Sequence, residues 1–582
     1  MSPTPAPSIA PSIAPSLSSR ASTPTLAASQ LPDDKLADAR SEVSVAISVA
    51  RLIPPADVES NVPPTNELGF GRLFVIHAAL AVCLFLAITD TTIVSTSLPT
   101  ISAELDGSTA QYSWVGVSYL LTQTIFQPIY GQVTMMFGRK RVLYTCLVLF
   151  LSTSGLCGGA QSMTWLLVAR ALQGVGGGGI VTLVWVILDE VAPAKTRHRW
   201  NAALTVVWSA SALAGPLLGG VFSDLVSWRW AFYINLPVGC VALIAAVLSL
   251  SAWEEAPCSK LSTYDLLATF DWIGLVLLVG GTASLVFGFI VATAEGWTAE
   301  ITLILLGVGA LTLTFGAIYE SGVLGESWGA DPKHALVAPR LLRTRTTGII
   351  LVFSFFQTMS FNAGTFYLAL YYQAVHGSSA LLAGLELLPY TLGSSLVSLL
   401  GFYVTEKTKA HNTIIRVGLA VMAIGFGLMT LLDERSNLAM QALIPLVAGF
   451  GVGLLLKTPA TALASAMQGY GTPAVTGGLF LVRFIGASSG VSVGGAIYES
   501  RLAAMLPAEF DLNISAPTFD YRLLTTLEPE PLRAEVIRAV SRSISSIWMV
   551  CTPCLAIGFL LSLFMKHYPE NDTSSSNNET LP

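Results

Sequence analysis

The sequence predicts an all-α polytopic membrane protein, and three observations predict it. Of 582 residues, 53% are apolar and 11% charged, whereas a soluble domain carries about 25% charged residues. From Arg72 onward, apolar runs of about 20 residues follow one another, each long enough to cross a ~30 Å hydrocarbon core as a helix. Lys and Arg gather in alternate short loops, the pattern that sets the orientation of spanning helices. Mean hydropathy of +0.65 agrees with these. A formal charge of −6 offers no basic face, so no nucleic-acid partner is expected. Seven cysteines without regular spacing make no disulfide framework. No cluster of metal ligands and no cofactor motif stands out, so neither metal nor cofactor is expected.

The chain divides by composition. Residues 1–70, rich in Pro, Ser, Ala and Thr, read as a disordered cytosolic tail with no secretory signal. Spans are expected near 72–98, 111–133, 141–160, 163–188, 201–222, 231–252, 271–292, 301–319, 346–371, 379–403, 413–432, 440–464, 474–498 and 543–565, fourteen in all. They group as a six-helix bundle at 71–252, a linker with two extra helices at 253–320, and a second six-helix bundle at 321–566. A cytosolic tail follows at 567–582.

Basic residues Arg139-Lys140-Arg141, then Lys195, Arg197 and Arg199, then Lys333, Arg340, Arg343 and Arg345, then Lys407 and Lys409 mark the cytoplasmic loops. Both termini are therefore expected in the cytoplasm. Trp114, Trp165, Trp228 and Trp297 fall at predicted outer ends, as an interfacial belt would. One long outer loop, 499–542, contains Asn513-Ile514-Ser515, a glycosylation sequon on the permitted side.

An internal repeat supports the two bundles. Gly174-x-Gly176-x-Gly178 recurs as Gly449-x-Gly451-x-Gly453, and Gly215-x3-Gly219-Gly220 recurs as Gly490-x3-Gly494-Gly495, both at an offset of 275 residues. The matched helices are eight apart, an even number, so the repeats run in the same direction, and transporters built this way place the substrate path between halves.

Charges inside the apolar runs are the candidates for function. An ionised carboxylate in a spanning helix costs at least ~2.5–3.5 kcal/mol on insertion scales and so needs a reason. Asp90 lies in the outer third of helix 1, and Arg170 in helix 4 falls at about the same depth by the ~1.5 Å rise per residue. Glu386 in helix 10 falls near that depth too, so the three are candidates for proton coupling. Lys457, near the inner end of helix 12, is expected to snorkel to cytoplasmic water. Arg483 in helix 13 is a candidate for an anionic substrate group or a neighbouring helix end. Gln123, Gln127, Gln357 and Asn362 are candidate substrate contacts, with Tyr119, Phe126, Phe356, Phe361 and Tyr367 as a candidate apolar lining. Two patterns mislead. Gly174 to Gly179 fits G-x-G-x-x-G inside a spanning helix with no preceding strand, which argues for close helix packing and against nucleotide binding. Cys551-Thr552-Pro553-Cys554 is a C-x-x-C inside an apolar run, read as packing.

Taken together, these residues resemble the major facilitator superfamily, specifically the fourteen-helix drug:proton antiporters found in fungi. Gly131-Gln132-Val133-Thr134-Met135-Met136-Phe137-Gly138-Arg139-Lys140 is similar to the family's loop 2–3 motif, Arg170 to Gly178 to its helix 4 motif, and Gly215-Pro216-Leu217-Leu218-Gly219-Gly220 to its helix 5 antiporter motif. Asp90 with Pro99, Tyr112 to Tyr130, and Ser227-Trp228-Arg229-Trp230 through Asn235-Leu236-Pro237-Val238-Gly239 fit the fourteen-helix branch. The resemblance covers roughly 70–566. It implies a major facilitator fold, two six-helix bundles with two inserted helices, and proton-driven efflux by alternating access. In that mechanism Asp90 and Arg170 couple, while Gly131, Gly138, Arg139, Gly174, Gly178, Gly215, Pro216, Gly219 and Gly220 serve packing and conformational change. Met135 departs from the motif, which usually has an acid there that helps latch the inner gate.

The expectation is a proton-coupled exporter of small amphipathic compounds, a non-enzymatic monomer in the plasma membrane whose partners are its substrate, protons and the lipid bilayer. A plasma-membrane or vacuolar carrier of amino acids or other small metabolites is the alternative. A non-transporting membrane sensor is a further one.

Overall fold

A computed structural model describes residues 69–107, 109–193, 196–251, 253, 271–321, 344–467, 472–505 and 530–566. Asn513 lies outside the described residues, as do Lys195, Lys333, Arg340 and Arg343; nothing is described around Gly131 or Met135. The described residues form sixteen helices and no strand. These are α1 (Phe70–Glu104), α2 (Thr109–Phe137), α3 (Arg139–Gly158), α4 (Met163–Val191), α5 (Arg197–Leu225), α6 (Trp230–Tyr233), α7 (Asn235–Leu250), α8 (Trp272–Glu295) and α9 (Glu300–Glu320). The rest are α10 (Arg345–His376), α11 (Ala380–Glu386), α12 (Leu388–Thr408), α13 (His411–Met429), α14 (Leu438–Ala466), α15 (Thr472–Met505) and α16 (Glu530–Ser562).

Twelve of the spans are long and apolar enough to cross a membrane, α6 and α7 counting together as one, and the pair α11 and α12, bent by 40°, makes a thirteenth. The chain is thus a multi-pass membrane protein. Helix α2, expected as an apolar run, has 29 residues but falls outside that set. Its Ser118, Thr122, Gln123, Thr124 and Gln127 lower its hydropathy, and it is packed against α4, α8 and α15. A helix surrounded by protein has no lipid to satisfy and tolerates polar side chains.

Several helices run past the expected spans. The expected outer loop 499–542 is shortened at both sides, because α15 continues to Met505 and α16 starts at Glu530. Hydropathy marks only the lipid-crossing part of a helix, and the first turns of α16 carry Glu530, Arg533, Glu535, Arg538 and Arg542. Two helix ends are set by local chemistry. Ser162 accepts from the Trp165 amide at the start of α4. Gly138, between α2 and α3, has φ +86°, a conformation open to glycine at no steric cost.

The helices pack in a repeated pattern. Helix α4 packs on α2 and α3, and α1 on α5; α14 likewise packs on α12 and α13, and α10 on α15. Helix α7 lies against α1 and α3 as α16 lies against α10 and α13. The repeated glycines explain the close approach. A Cβ on Gly176 would meet the backbone of Cys146 and Phe150 in α3, and one on Gly451 the backbone of Met422 in α13. A Cβ on Gly178 would meet the carbonyl of Gln123 in α2, and one on Gly453 that of Ser394 in α12. Small residues at these seams let backbones touch where lipid gives no hydrophobic drive for association. The hairpin of α8 and α9 leans on α2 and α15 through α8, while α9 presents Leu303, Ile304, Leu311 and Phe315 outward.

Candidate functional site

The two ends of the bundle differ in charge: one carries Arg139, Lys140, Arg141, Arg197 and Arg199 (the basic end), the other Glu104, Asp106, Glu295 and Glu300 (the acidic end). Asp90 and Arg170, distant in sequence, meet in the core of the first bundle, the side chains 0% and 1% exposed. An Arg170 Nη1 donates to Asp90 Oδ2 and also to Gln173 Oε1 at 2.8 Å. Gln173 Nε2 donates to Asp90 Oδ1 at 3.1 Å and to Ser154 Oγ at 2.7 Å. Asn235 Nδ2 donates to Asp90 Oδ1 at 3.1 Å and to the same Ser154 hydroxyl at 3.3 Å. Arg170 Nε reaches the Val115 carbonyl at 3.3 Å, and the guanidinium lies 4.5 Å from the Tyr119 ring and 5.6 Å from that of Phe232.

Helices α1, α2, α3, α4 and α7 and the short α6 therefore all contribute to the network around one carboxylate. Both its oxygens accept hydrogen bonds, one from a paired cation, which is the condition under which a buried charge is tolerable. Arg170 does not extend toward either surface. Tyr119, expected in an apolar lining, instead stacks under Arg170 and donates to the Ala87 carbonyl at 3.1 Å. Tyr367 is likewise occupied, donating to the Val491 carbonyl at 2.9 Å.

Glu386 does not join this network. It ends α11, beside the bend at Leu387, and accepts from Ser378 Oγ at 2.8 Å. Charge within an apolar run and a shared depth group it with Asp90 in the sequence, and depth does not fix position around the bundle. Trp228 is also displaced from its expected role. It is 1% exposed, not spread in an interfacial belt, and donates to Glu104 at 2.7 Å. Its neighbour Arg229 pairs with Glu104 at 3.0 Å and donates to the carbonyls of Gly158 and Ala160, tying the acidic-end termini of α1 and α3 to the start of α6.

The two bundles meet at the acidic end. A Cβ on Gly220 of α5 would meet Ala380 and Leu381 of α11, and one on Gly384 the carbonyl of Pro216. Asp224 accepts from the Leu381 amide at 2.7 Å. Helix α1 is bound into the same region: Thr96 Oγ1 donates to the Pro216 carbonyl at 2.9 Å, Ser97 Oγ to that of Gly219 at 3.0 Å, and Gln373 Nε2 to the Thr96 carbonyl at 3.2 Å. A Cβ on Gly215 would meet Thr92 and Ile93, and one on Gly174 would meet Tyr119 and Thr122.

Elsewhere in both bundles lie buried polar atoms without partners among the described residues. Both amide atoms of Gln123 and of Gln127 are buried and unpaired, as are Gln357 Oε1, Ser209 Oγ and Arg483 Nε. Native interiors leave few such groups, and each calls for a water or ligand. Asn362 differs from these, since its Nδ2 donates to the Thr358 carbonyl of its own helix at 3.0 Å. Arg483 Nη2 donates to the Leu455 carbonyl at 3.0 Å. Lys457 does not snorkel to the basic end; its Nζ sits 4.9 Å from the Trp185 ring of the other bundle. At the basic end Arg139 pairs with Glu190 at 2.8 Å, and Asn201 donates to Asp189 at 2.7 Å.

Sequence reasoning missed Gln173, Asn235 and Ser154. The signal for Gln173 was its place three residues after Arg170, on the same helix face. It also missed Glu499, a half-buried acid in α15 with no partner among the described residues. Among the described residues, no group of three His, Cys, Asp or Glu is placed to hold a metal ion.

Residues 80–491 match the family model described as Major Facilitator Superfamily. The chain is 31% identical over 496 residues to an uncharacterized MFS-type transporter, C16A3.17c, of Schizosaccharomyces pombe, covering 85% of this chain and 80% of that one. It is 29% identical over 523 residues to the efflux pump FUS6 of Gibberella moniliformis, covering 88% and 91%. Among solved structures it is similar to a bacterial homologue of the human lysosomal transporter Spinster in an inward-facing, unoccupied conformation. That similarity has a TM-score of 0.59 at 17% identity over 87% of this chain and 100% of that one. A buried ion-pair core, a glycine-lined repeat of six-helix packing and these likenesses converge: the chain belongs to the Major Facilitator Superfamily and is a membrane transporter.

Proposed function

We propose that this transporter is a proton-coupled exporter of small amphipathic compounds, working by alternating access as a monomer in the plasma membrane. It has fourteen spans divided at 71–252, 253–320 and 321–566, with the basic end and both termini in the cytoplasm. Asn513 is its glycosylation site. Relatives whose names are efflux pumps, FUS6 and the Fusarium pump LUC4, support export. The observation that carries proton coupling is the Asp90 carboxylate, buried at lipid depth and held by Arg170, Gln173 and Asn235.

A proton on Asp90 cancels its charge, and Arg170 then loses its counter-ion. Arg170, Gln173 and Asn235 must re-pair, which shifts α1 relative to α4 and α7. Helix α1 carries that shift to α5 through Thr96 and Ser97, and α5 closes on α11 at Gly220. Proline and glycine at 215–220 let α5 bend and slide there. Loading and unloading of one proton thus biases the acidic-end closure. Glu386, where α11 bends, is a second proton site on that closure. Gln123, Gln127, Gln357, Asn362 and Arg483 meet the substrate.

The reading is tested in proteoliposomes holding the full-length protein and a panel of labelled amphipathic compounds. An imposed pH gradient drives at least one compound uphill against the proton flow, and reversing the gradient reverses the movement. Transport that merely equilibrates, whichever way the gradient points, overturns the proposal.

A further inference from the structure

We infer that the exported compound is an organic anion with a flat apolar body, whose acidic group is held by Arg483 and Lys457 toward the basic end of the substrate path. The inference rests on the export reading and names its substrate class. Both cations lie inside spanning helices, Lys457 about 14 Å and Arg483 about 17 Å from the basic ends of α14 and α15 at ~1.5 Å per residue. Placing a cation there costs at least ~2.5 kcal/mol, and the first bundle shows how the fold meets such a cost. Arg170 has a carboxylate and a glutamine.

Arg483 has neither. Among the described residues its one hydrogen-bond partner is the Leu455 carbonyl, and its buried Nε is unpaired. Lys457 lies within electrostatic reach of Arg483, which repels it, and of Asp189, which Asn201 already holds. Two cations against one engaged carboxylate leave a positive charge that a bound anion would neutralise.

The walls fit the rest of such a molecule. Trp208 stacks on Phe480 across the bundle interface at 5.9 Å, Trp185 stands 6.5 Å from Phe480, and the buried Trp185 Nε1 is an unpaired donor. Aromatic faces from both bundles beside two unspent cations make a slot for a planar apolar group ending in an acid. Arg suits carboxylate or sulfonate through its planar fork of donors. Opening at the basic end would part Trp208 from Phe480 and expose the slot.

The test is equilibrium binding to the purified full-length protein with 2-naphthalenesulfonate, its neutral sulfonamide, and a naphthylmethyl trimethylammonium cation. The wild type should bind the sulfonate about tenfold more tightly than the sulfonamide, the worth of one charge-assisted hydrogen bond. Arg483→Gln and Lys457→Gln should each reduce that ratio, and Arg483→Lys, which keeps the charge, should retain most of it. Equal binding of all three probes overturns the inference, as does a sulfonate preference that survives in both Gln variants. The same preparation in proteoliposomes separates this from the export reading. If a pH gradient drives the cation and sulfonate binding shows no preference, the anion slot alone falls. If sulfonate preference holds and no gradient moves any probe, the slot stands and proton-coupled export falls.

Discussion

The two bundles share a backbone plan and differ in what they bury at its centre. Aligned on the contacts of Gly215 with Thr92 and of Gly490 with Met359, Asp90 falls opposite Gln357; at the offset of 275 residues, Arg170 falls opposite Pro445. The first bundle thus has an ion pair whose carboxylate oxygens both accept hydrogen bonds, while its counterpart has a neutral glutamine whose Oε1 is unpaired. A buried carboxylate held on both oxygens by side chains of its own bundle is partnered without a ligand. An unpaired buried oxygen calls for a water or a ligand. On the proposed reading, ion chemistry belongs to the first bundle and recognition to the residues that leave polar atoms without partners.

That contrast can be broken by mutation. The largest effect is expected for Arg170→Gln, which leaves the Asp90 carboxylate buried without its cation. Losing one partner of a buried pair costs about 3–5 kcal/mol, so the variant should show a sharply lower melting temperature in detergent, while Gln357→Ala, at the matching place, should melt close to wild type. Next come Gly176→Leu and Gly451→Leu, which put a side chain against the backbone of α3 and of α13. Overpacking costs about 1–3 kcal/mol, and both should lose stability alike if the repeat is a true packing repeat; a loss confined to one would end the equivalence. Trp228→Phe removes the hydrogen bond to Glu104 and should cost about 1 kcal/mol, read as a small fall in melting temperature with transport retained. The smallest effects are expected for Gln123→Ala and Gln357→Ala, a rise in KM of about two- to tenfold, one hydrogen bond's worth, with no change in proton coupling.

How much of this was legible in the sequence follows from what each signal measures. Asp90 and Arg170 were visible because charge is rare in apolar runs, and the glycine repeat because one offset fits two patterns. Gln173 and Asn235 stayed hidden, being neutral and inexpensive at a glance, although both stood inside the motifs. Depth along a helix put Glu386 beside Asp90 and Lys457 near water; position around the bundle, which no linear count supplies, separates the first and turns the second onto Trp185. The polar character of α2 was blurred for the same reason, because hydropathy assumes lipid on all sides. Trp228 sat where a belt residue would, yet its indole N–H had found Glu104.

On the proposed function, the ion pair in the first bundle couples protons to transport. The most direct test of that coupling measures proton flux with an entrapped pH dye in proteoliposomes as substrate is added outside, for the wild type and Asp90→Asn. A substrate-dependent proton flux is expected in the wild type and none in Asp90→Asn, with substrate-for-substrate exchange retained in both. Undiminished proton flux in Asp90→Asn would contradict it.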